Sequence, residues 1–151
     1  MMAGFKPKRR LYPIFIIYFL STAFAIAGTS GEGYLTVIVT GAENDNGYIL
    51  LALSNSPENY RNHTEPFRTA ITEVSNKGAR FNFPGLPFGE YAVKVFHDEN
   101  ANKDLDTNFL GIPKENYGFS NNVRGKFGPP DWKKAFFQFH ADSLVININL
   151  K

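Results

Sequence analysis

The chain has 151 residues, no cysteine, and 16 lysine and arginine residues against 14 aspartate and glutamate residues. Four of the basic residues lie before position 11, so with residues 1–25 set aside 12 basic residues face 14 acidic ones, a net charge of −2. A mildly acidic domain without a basic cluster excludes nucleic acid as the expected partner. The lack of cysteine excludes disulfide bonds and thiolate metal sites.

Residues 1–25 have the pattern of a secretory signal peptide. A basic start precedes the apolar run Leu11–Leu20, and the segment Ala23–Ala27 offers two small-x-small cleavage sites. The alternative is a membrane anchor, but the run is shorter than the ~20 residues of a membrane span and contains Pro13. We therefore expect cleavage after residue 25 or 27, no stable membrane span afterwards, and a periplasmic or secreted location.

The rest of the chain, residues 28–151, predicts a single all-β domain. Apolar and polar residues alternate in most of its segments, whereas one segment is almost continuously apolar and indicates a central strand covered on both faces. The segments are residues 35–40, 48–53, 67–74, 79–83, 91–95, 135–139 and 144–150. About seven strands with Gly, Pro and Asn between them favour an antiparallel β-sandwich, prealbumin-like or immunoglobulin-like.

Two other elements are predicted between these strands. One is a short helix with Ser56 as its N-cap and Pro57 at its first position. The other is a long loop, residues 98–133, of the kind that in compact domains is usually functional or disordered. Its aromatic residues favour order: Phe109, Tyr117, Phe119, Phe127 and Trp132.

The start of this loop, which we call the acidic loop (residues 98–106), is the main candidate binding site. Oxygen-bearing side chains occupy every second position, and alternate residues of an extended segment point to the same side. These residues are Asp98, Asn100, Asn102, Asp104 and Asp106. As hard oxygen ligands they predict a calcium site resembling part of an EF-hand loop, in which Asp104 would contribute its carbonyl.

The EF-hand frame is incomplete, because Lys103 stands at the glycine position and Phe109 at the position of the closing glutamate. A further carboxylate would have to come from elsewhere, such as Glu115. We therefore expect weak calcium binding, with a Kd of ~10⁻⁴ to 10⁻³ M. The alternative is an Asx-rich turn whose side chains bond to their own backbone.

His97 ends the fifth strand in register with the apolar residues of that strand, so it should point toward the edge of the core. We expect a hydrogen-bonded packing histidine that orients the start of the acidic loop. The alternative is an exported hydrolase in which His97 acts with Asp98 and Asp106.

The sequence resembles two known groups of proteins, and each resemblance depends on particular motifs. The segment Leu86–Val93, Leu-Pro-Phe-Gly-Glu-Tyr-Ala-Val, resembles the hairpin signature of prealbumin-like modules such as collagen-adhesin B-type repeats and carboxypeptidase regulatory-like domains. In such a hairpin Pro87 presets a turn, Gly89 takes a conformation that a side chain forbids, and Tyr91 enters the core. This resemblance implies a fold and no activity.

The second resemblance covers residues 34–150, which are similar to the bacterial family called domain of unknown function 2141. It implies an exported sandwich of unassigned activity, with glycine expected at the positions of Lys103 and Asn116. Besides the hairpin, its motifs are His97–Asn100, Leu105–Asn108, Gly111–Glu115, Tyr117–Asn122 and Gly128–Pro130.

Together these observations predict an exported, non-catalytic binding or accessory module whose ligand is a protein or a carbohydrate. The long loop would be its functional end, with calcium as a stabilising ion in the acidic loop. Carbohydrate binding would use Tyr117, Phe119 and Trp132, although the same rings would equally serve to attach the loop to the core. The hydrolase remains the alternative outside the binding class.

Overall fold

The computed structural model describes residues 31–62, 65–126 and 128–151. The predicted leader lies outside these ranges. The strands are β1 (Glu32–Thr40), β2 (Tyr48–Ser54), β3 (Arg68–Glu73), β4 (Gly78–Pro87), β5 (Gly89–Asp98), β6 (Tyr117–Phe119), β7 (Phe137–Phe139) and β8 (Ser143–Asn149). Two short helices, α1 (Pro57–Arg61) and α2 (Trp132–Ala135), and a 3₁₀ turn at Ser120–Asn122 complete the elements. In this part of the chain no helix has the length and apolar character needed to cross a bilayer.

The strands form two sheets that pack face to face, which confirms the predicted β-sandwich. The smaller sheet has the order β4–β1–β8, and the larger has the order β3–β2–β5–β6 with β7 also paired to β5. The pairings between these strands are antiparallel, with the exception that β1 and β8 run parallel. The first and last strands therefore lie side by side without a hairpin between them.

The core lies between the sheets and follows the predicted alternation. Its fully or almost fully buried side chains include Leu35, Val37, Val39, Ile49, Leu51, Leu53, Phe81, Phe83, Tyr91, Val93, Val95 and Ile148. A second, smaller cluster lies on the other face of β5. It consists of Tyr60 from α1, Ala92 from β5 and Ala135 from α2. The prediction that Ala135 belongs to the seventh strand was wrong, because it closes α2.

The predicted short helix is confirmed, with a reciprocal cap at its start. The Ser56 hydroxyl accepts from the Asn59 N–H at 3.2 Å, and the Asn59 side chain accepts from the Ser56 N–H. This cap satisfies backbone donors that the first turn of a helix leaves free.

The predicted hairpin at residues 86–93 was wrong, because β4 and β5 lie in different sheets. β4 pairs with β1, and β5 pairs with β2, β6 and β7, so the chain passes from the smaller sheet to the larger one between Pro87 and Gly89. Tyr91 enters the core as expected, and its hydroxyl donates to the Pro87 carbonyl at 2.8 Å. Gly89 is not among the residues with positive φ, and a Cβ there would come no closer than 3.7 Å to the Tyr91 ring. The glycine with positive φ in this part of the chain is Gly85, with φ of 58°, and it lies within β4.

Candidate functional site

The acidic loop leaves the sandwich at the end of β5, where consecutive side chains project to opposite faces. His97 points into the core, and its Nε2 lies 2.7 Å from the Asn46 carbonyl. Because a carbonyl can only accept, Nε2 carries the proton in this contact. The predicted packing histidine is confirmed. Asp98 points to the outer face of the larger sheet, so the structure does not bring His97 together with Asp98.

The Asp98 carboxylate fixes the first turn of the acidic loop. It is fully buried, and its two oxygens accept the backbone N–H groups of Asn102 at 3.1 Å and Lys103 at 2.8 Å. Hydrogen bonds from N–H groups to a carboxylate are stronger than those between neutral groups. The charge of Asp98 is therefore satisfied by the backbone of its own loop.

The Glu115 carboxylate fixes the loop at its other side. Its oxygens accept the N–H groups of Glu99 at 3.1 Å and Asp106 at 2.9 Å. Sequence reasoning considered Glu115 only as an additional metal ligand, and nothing in the local pattern indicates this backbone role. Two buried carboxylates thus hold both ends of the acidic loop.

The remaining candidate ligands converge, as their spacing predicted. The Asp106 carboxylate accepts from Asn100 Nδ2 at 2.8 Å and from Asn102 Nδ2 at 3.1 Å. Asn102 in turn accepts the N–H of Asp104 at 2.8 Å through its side-chain oxygen. These contacts are those of an Asx-rich turn.

Calcium binding by this loop stays a prediction. Within residues 31–62, 65–126 and 128–151, no group of three or more His, Asp or Glu side chains is placed to hold a metal ion. An ion would have to use the lone pairs of Asp98 and Asp106 that their two hydrogen bonds each leave available. A site of the predicted kind raises the free energy of unfolding by about 2.7 kcal/mol at about 100 times the Kd. Melting curves in chelator, calcium and magnesium test it, and coincident curves would leave only the hydrogen-bonded turn.

Two residues of the acidic loop adopt left-handed backbone conformations that normally favour glycine. Ala101 has φ of 61° and Lys103 has φ of 68°. The resemblance placed glycine at Lys103, and the structure explains that expectation. Asn116, the other such position, does not have positive φ, and its amide donates to the Gly41 carbonyl at 3.1 Å.

We expect Lys103→Gly to stabilise the protein by up to about 1 kcal/mol. A non-glycine residue pays about 1–2 kcal/mol for this conformation, and the greater freedom of glycine in the unfolded chain offsets part of the gain. Urea unfolding measures the difference. Lys114→Gly is the control, since Lys114 is exposed without positive φ and should only lose stability. A loss in both variants would contradict the assignment of strain to Lys103.

A groove of about 670 Å³ runs over the outer face of the larger sheet, and we call it the sheet groove. Its floor is made by apolar side chains from four strands. In the strand register Leu50 pairs with both Ile71 and Phe96, and Phe96 pairs with Tyr117. Leu105 of the acidic loop also lines it. The sequence predicted that β2 is covered on both faces. Its inward face is buried, whereas its outward side chains are only partly covered and Leu50 and Ala52 line this groove.

A second cavity of about 510 Å³, the aromatic pocket, shares Lys94 and Pro129 with the sheet groove. Tyr60 and Trp132 line it, with their ring centroids 5.7 Å apart. Lys94 Nζ lies 4.4 Å from the centre of the Tyr60 ring and donates to the Tyr60 carbonyl. Lys94 therefore stands where the two cavities meet.

A family model described as an uncharacterized protein conserved in bacteria, DUF2141, matches residues 37–147. The chain belongs to this family. A search of curated proteins and a search of solved structures each found no match. The resemblance carried by the sequence motifs is thereby confirmed, while the activity of DUF2141 proteins stays open.

One DUF2141 motif, the segment around β6 and the 3₁₀ turn, has a structural role here. The Ser120 hydroxyl accepts from the Val93 N–H at 2.9 Å and donates to the Ala135 carbonyl at 2.6 Å. The Asn122 side chain accepts from the Asn149 N–H at 2.8 Å. These contacts connect the larger sheet to α2 and to β8, so neither polar group is left for catalysis.

The three aromatic residues considered for carbohydrate binding do not form one platform. Tyr117 and Phe119 line the sheet groove, where Phe119 is only 6% exposed. Trp132 lines the aromatic pocket and stacks on Phe136, with 10° between the ring planes.

Burial lowers the pKa of Lys94 to about 8, from 10.5 for the free side chain. The unfolded chain then binds more protons than the folded one between these pH values, so the stability governed by Lys94 rises with pH across this window. We expect the free energy of unfolding of the wild type to rise from about pH 7 to about pH 9.5 relative to Lys94→Met. Urea titrations at both pH values measure this difference. Parallel pH profiles would contradict it.

Proposed function

We propose that this DUF2141 protein is an exported, non-catalytic binding module whose ligand lies in the sheet groove. The observation that carries the proposal is the apolar floor formed by Leu50, Ile71, Phe96 and Tyr117. The solvent face of an antiparallel sandwich usually carries polar side chains. Here Ile71 is 50% exposed, and the other three are partly covered. A concave apolar surface with a few polar groups is the usual form of a small-ligand site.

The polar groups near the groove support binding rather than catalysis. His97 faces the core, the Asp98 carboxylate accepts two backbone N–H groups, and the Ser120 hydroxyl bridges two backbone groups. A general base or nucleophile needs a lone pair or proton directed at the substrate. Asp98 and Ser120 direct theirs at the protein backbone, and the His97 ring is fully buried in the core, away from the groove. Export is supported by the leader pattern of residues 1–25.

The acidic loop contributes a wall of the groove in this proposal. Lys103, Asp104 and Leu105 line the groove, while Asp98 and Glu115 hold the loop by its backbone. A preformed wall reduces the ordering cost of binding. Calcium, if the loop takes it up, would stabilise the same wall.

The neutral dye Nile red, whose fluorescence rises in apolar surroundings, tests the proposal on the purified domain. We expect Ile71→Asp to weaken binding about tenfold, because a charge then replaces part of the apolar floor. Val145→Asp is the matched control, because Val145 is 55% exposed on the smaller sheet. Thermal melts establish that both variants fold. Equal loss in the two variants, or no dye binding by the wild type, would refute the proposed site.

A further inference from the structure

A single lysine interrupts the apolar floor of the sheet groove. Lys94 points to the outer face of β5, where it pairs with Ala52 of β2 and Phe119 of β6. The next residue on the same face is Phe96. A ligand lying along β5 over Phe96 would therefore bring one of its ends to the Lys94 ammonium.

The aromatic pocket beyond Lys94 has an excess of positive charge. Arg61 and Lys133 line it together with Lys94, against the one carboxylate of Asp131. At the other end of the sheet groove Lys103 and Asp104 line it together, one cation against one anion, and neither lines the aromatic pocket. The two cavities together therefore have a cationic end at the aromatic pocket and an apolar stretch whose other end, at the acidic loop, is balanced in charge. Such an asymmetric charge distribution selects an anion at one end only.

The position of Lys94 is costly for the protein by itself. Burying an ammonium removes hydration, and the lowered pKa of Lys94 reflects that loss. The Tyr60 carbonyl and ring offset part of it. An anion beside the ammonium would add a charge-assisted hydrogen bond, which is stronger than a neutral one.

We infer that the ligand of the sheet groove is a single-chain anionic amphiphile, such as a free long-chain carboxylate. Its anionic group lies at Lys94, and its apolar chain lies over Phe96, Leu50 and Ile71 toward Leu105. This inference rests on the proposed function and adds the chemical class of the ligand.

Displacement of Nile red by three probes with the same alkyl chain tests the inference. Dodecanoate is anionic, dodecanol is neutral and dodecyltrimethylammonium is cationic. We expect dodecanoate to bind the wild type about tenfold more tightly than dodecanol and the cation to bind least well. In Lys94→Met the preference for dodecanoate should disappear while dodecanol still binds, because methionine keeps the apolar stem without the charge. Lys114→Met, a change of an exposed lysine outside both cavities, should retain the preference.

The outcomes separate this inference from the proposed function. Binding of Nile red and dodecanol without a preference for dodecanoate would overturn the inference and leave the binding module intact. No binding of any probe would overturn both. A preference that persists in Lys94→Met would also overturn the inference, with Lys94→Gln replacing that variant if it fails to fold. Binding to phosphatidylglycerol vesicles but not to free dodecanoate would assign the groove to a membrane surface instead and refute the free carboxylate.

Discussion

Replacing Gly47 with alanine is expected to lower the free energy of unfolding by about 3 kcal/mol or more. Gly47 lies in the connection between β1 and β2 with φ of 68°. A Cβ at this position would lie 1.9 Å from the Asp98 carbonyl oxygen and 2.9 Å from the Glu99 carbonyl carbon. Both neighbours are backbone atoms, so the contact is relieved only by moving the chain at the start of the acidic loop.

Gly111→Ala is the matched control for this prediction. Gly111 has φ of 76°, but a Cβ there would meet nothing within 4 Å. Its replacement should cost only the conformational part, about 1 kcal/mol. Urea unfolding of both variants separates the two contributions. Equal losses would mean that backbone conformation alone, and not the close approach to Asp98, makes glycine necessary at position 47.

Asp98→Ala is expected to destabilise the protein by about 3 kcal/mol. The substitution leaves the Lys103 N–H without its acceptor and removes the buried charge that orients the loop. It also takes one of two acceptors from the Asn102 N–H, which keeps the Asn100 side-chain oxygen at 3.0 Å. Asp98→Asn keeps one oxygen acceptor, so its loss should be smaller. Chemical denaturation gives the magnitude, and hydrogen exchange should show faster exchange of these two amides.

Asp104→Ala is the comparison for the Asp98 variants. The Asp104 side chain is exposed, and surface changes of this kind usually alter stability by less than about 0.5 kcal/mol. A similar loss at both positions would indicate that the net negative charge of the loop matters, rather than the two hydrogen bonds of Asp98. Unchanged amide exchange in Asp98→Ala would contradict the proposed role of the Asp98 carboxylate in holding the loop backbone.

Much of the fold could be predicted from the sequence because strand alternation is a local signal. The inward-facing residues of β1, β4 and β8 were predicted correctly, because each strand places apolar residues at every second position. β6 and α2 were not, since elements of three and four residues are too short to show a period. The parallel pairing of β1 with β8 has no local signal at all, because it joins segments from opposite ends of the chain.

The candidate site was predictable only in part, for a related reason. The spacing of oxygen side chains predicted that Asn100, Asn102 and Asp106 converge, and they do. It did not reveal the partners of Asp98 and Glu115, because their donors are backbone N–H groups, which every residue except proline carries. The sheet groove was missed because its floor depends on the register of four strands. The sequence pattern therefore predicted for Lys94 only a polar position on the solvent side of β5.

The pairing of β1 with β8 has a consequence for how the chain reaches its native state. Leu35 lies beside Leu144, about a hundred residues away in the chain. Contacts of such sequence separation form slowly, because a long loop must close before they are made. The smaller sheet cannot be completed until the final strand has left the ribosome. The pairing of β1 with β8 therefore follows synthesis of β8, and until then one edge of β1 has no partner from the last strand.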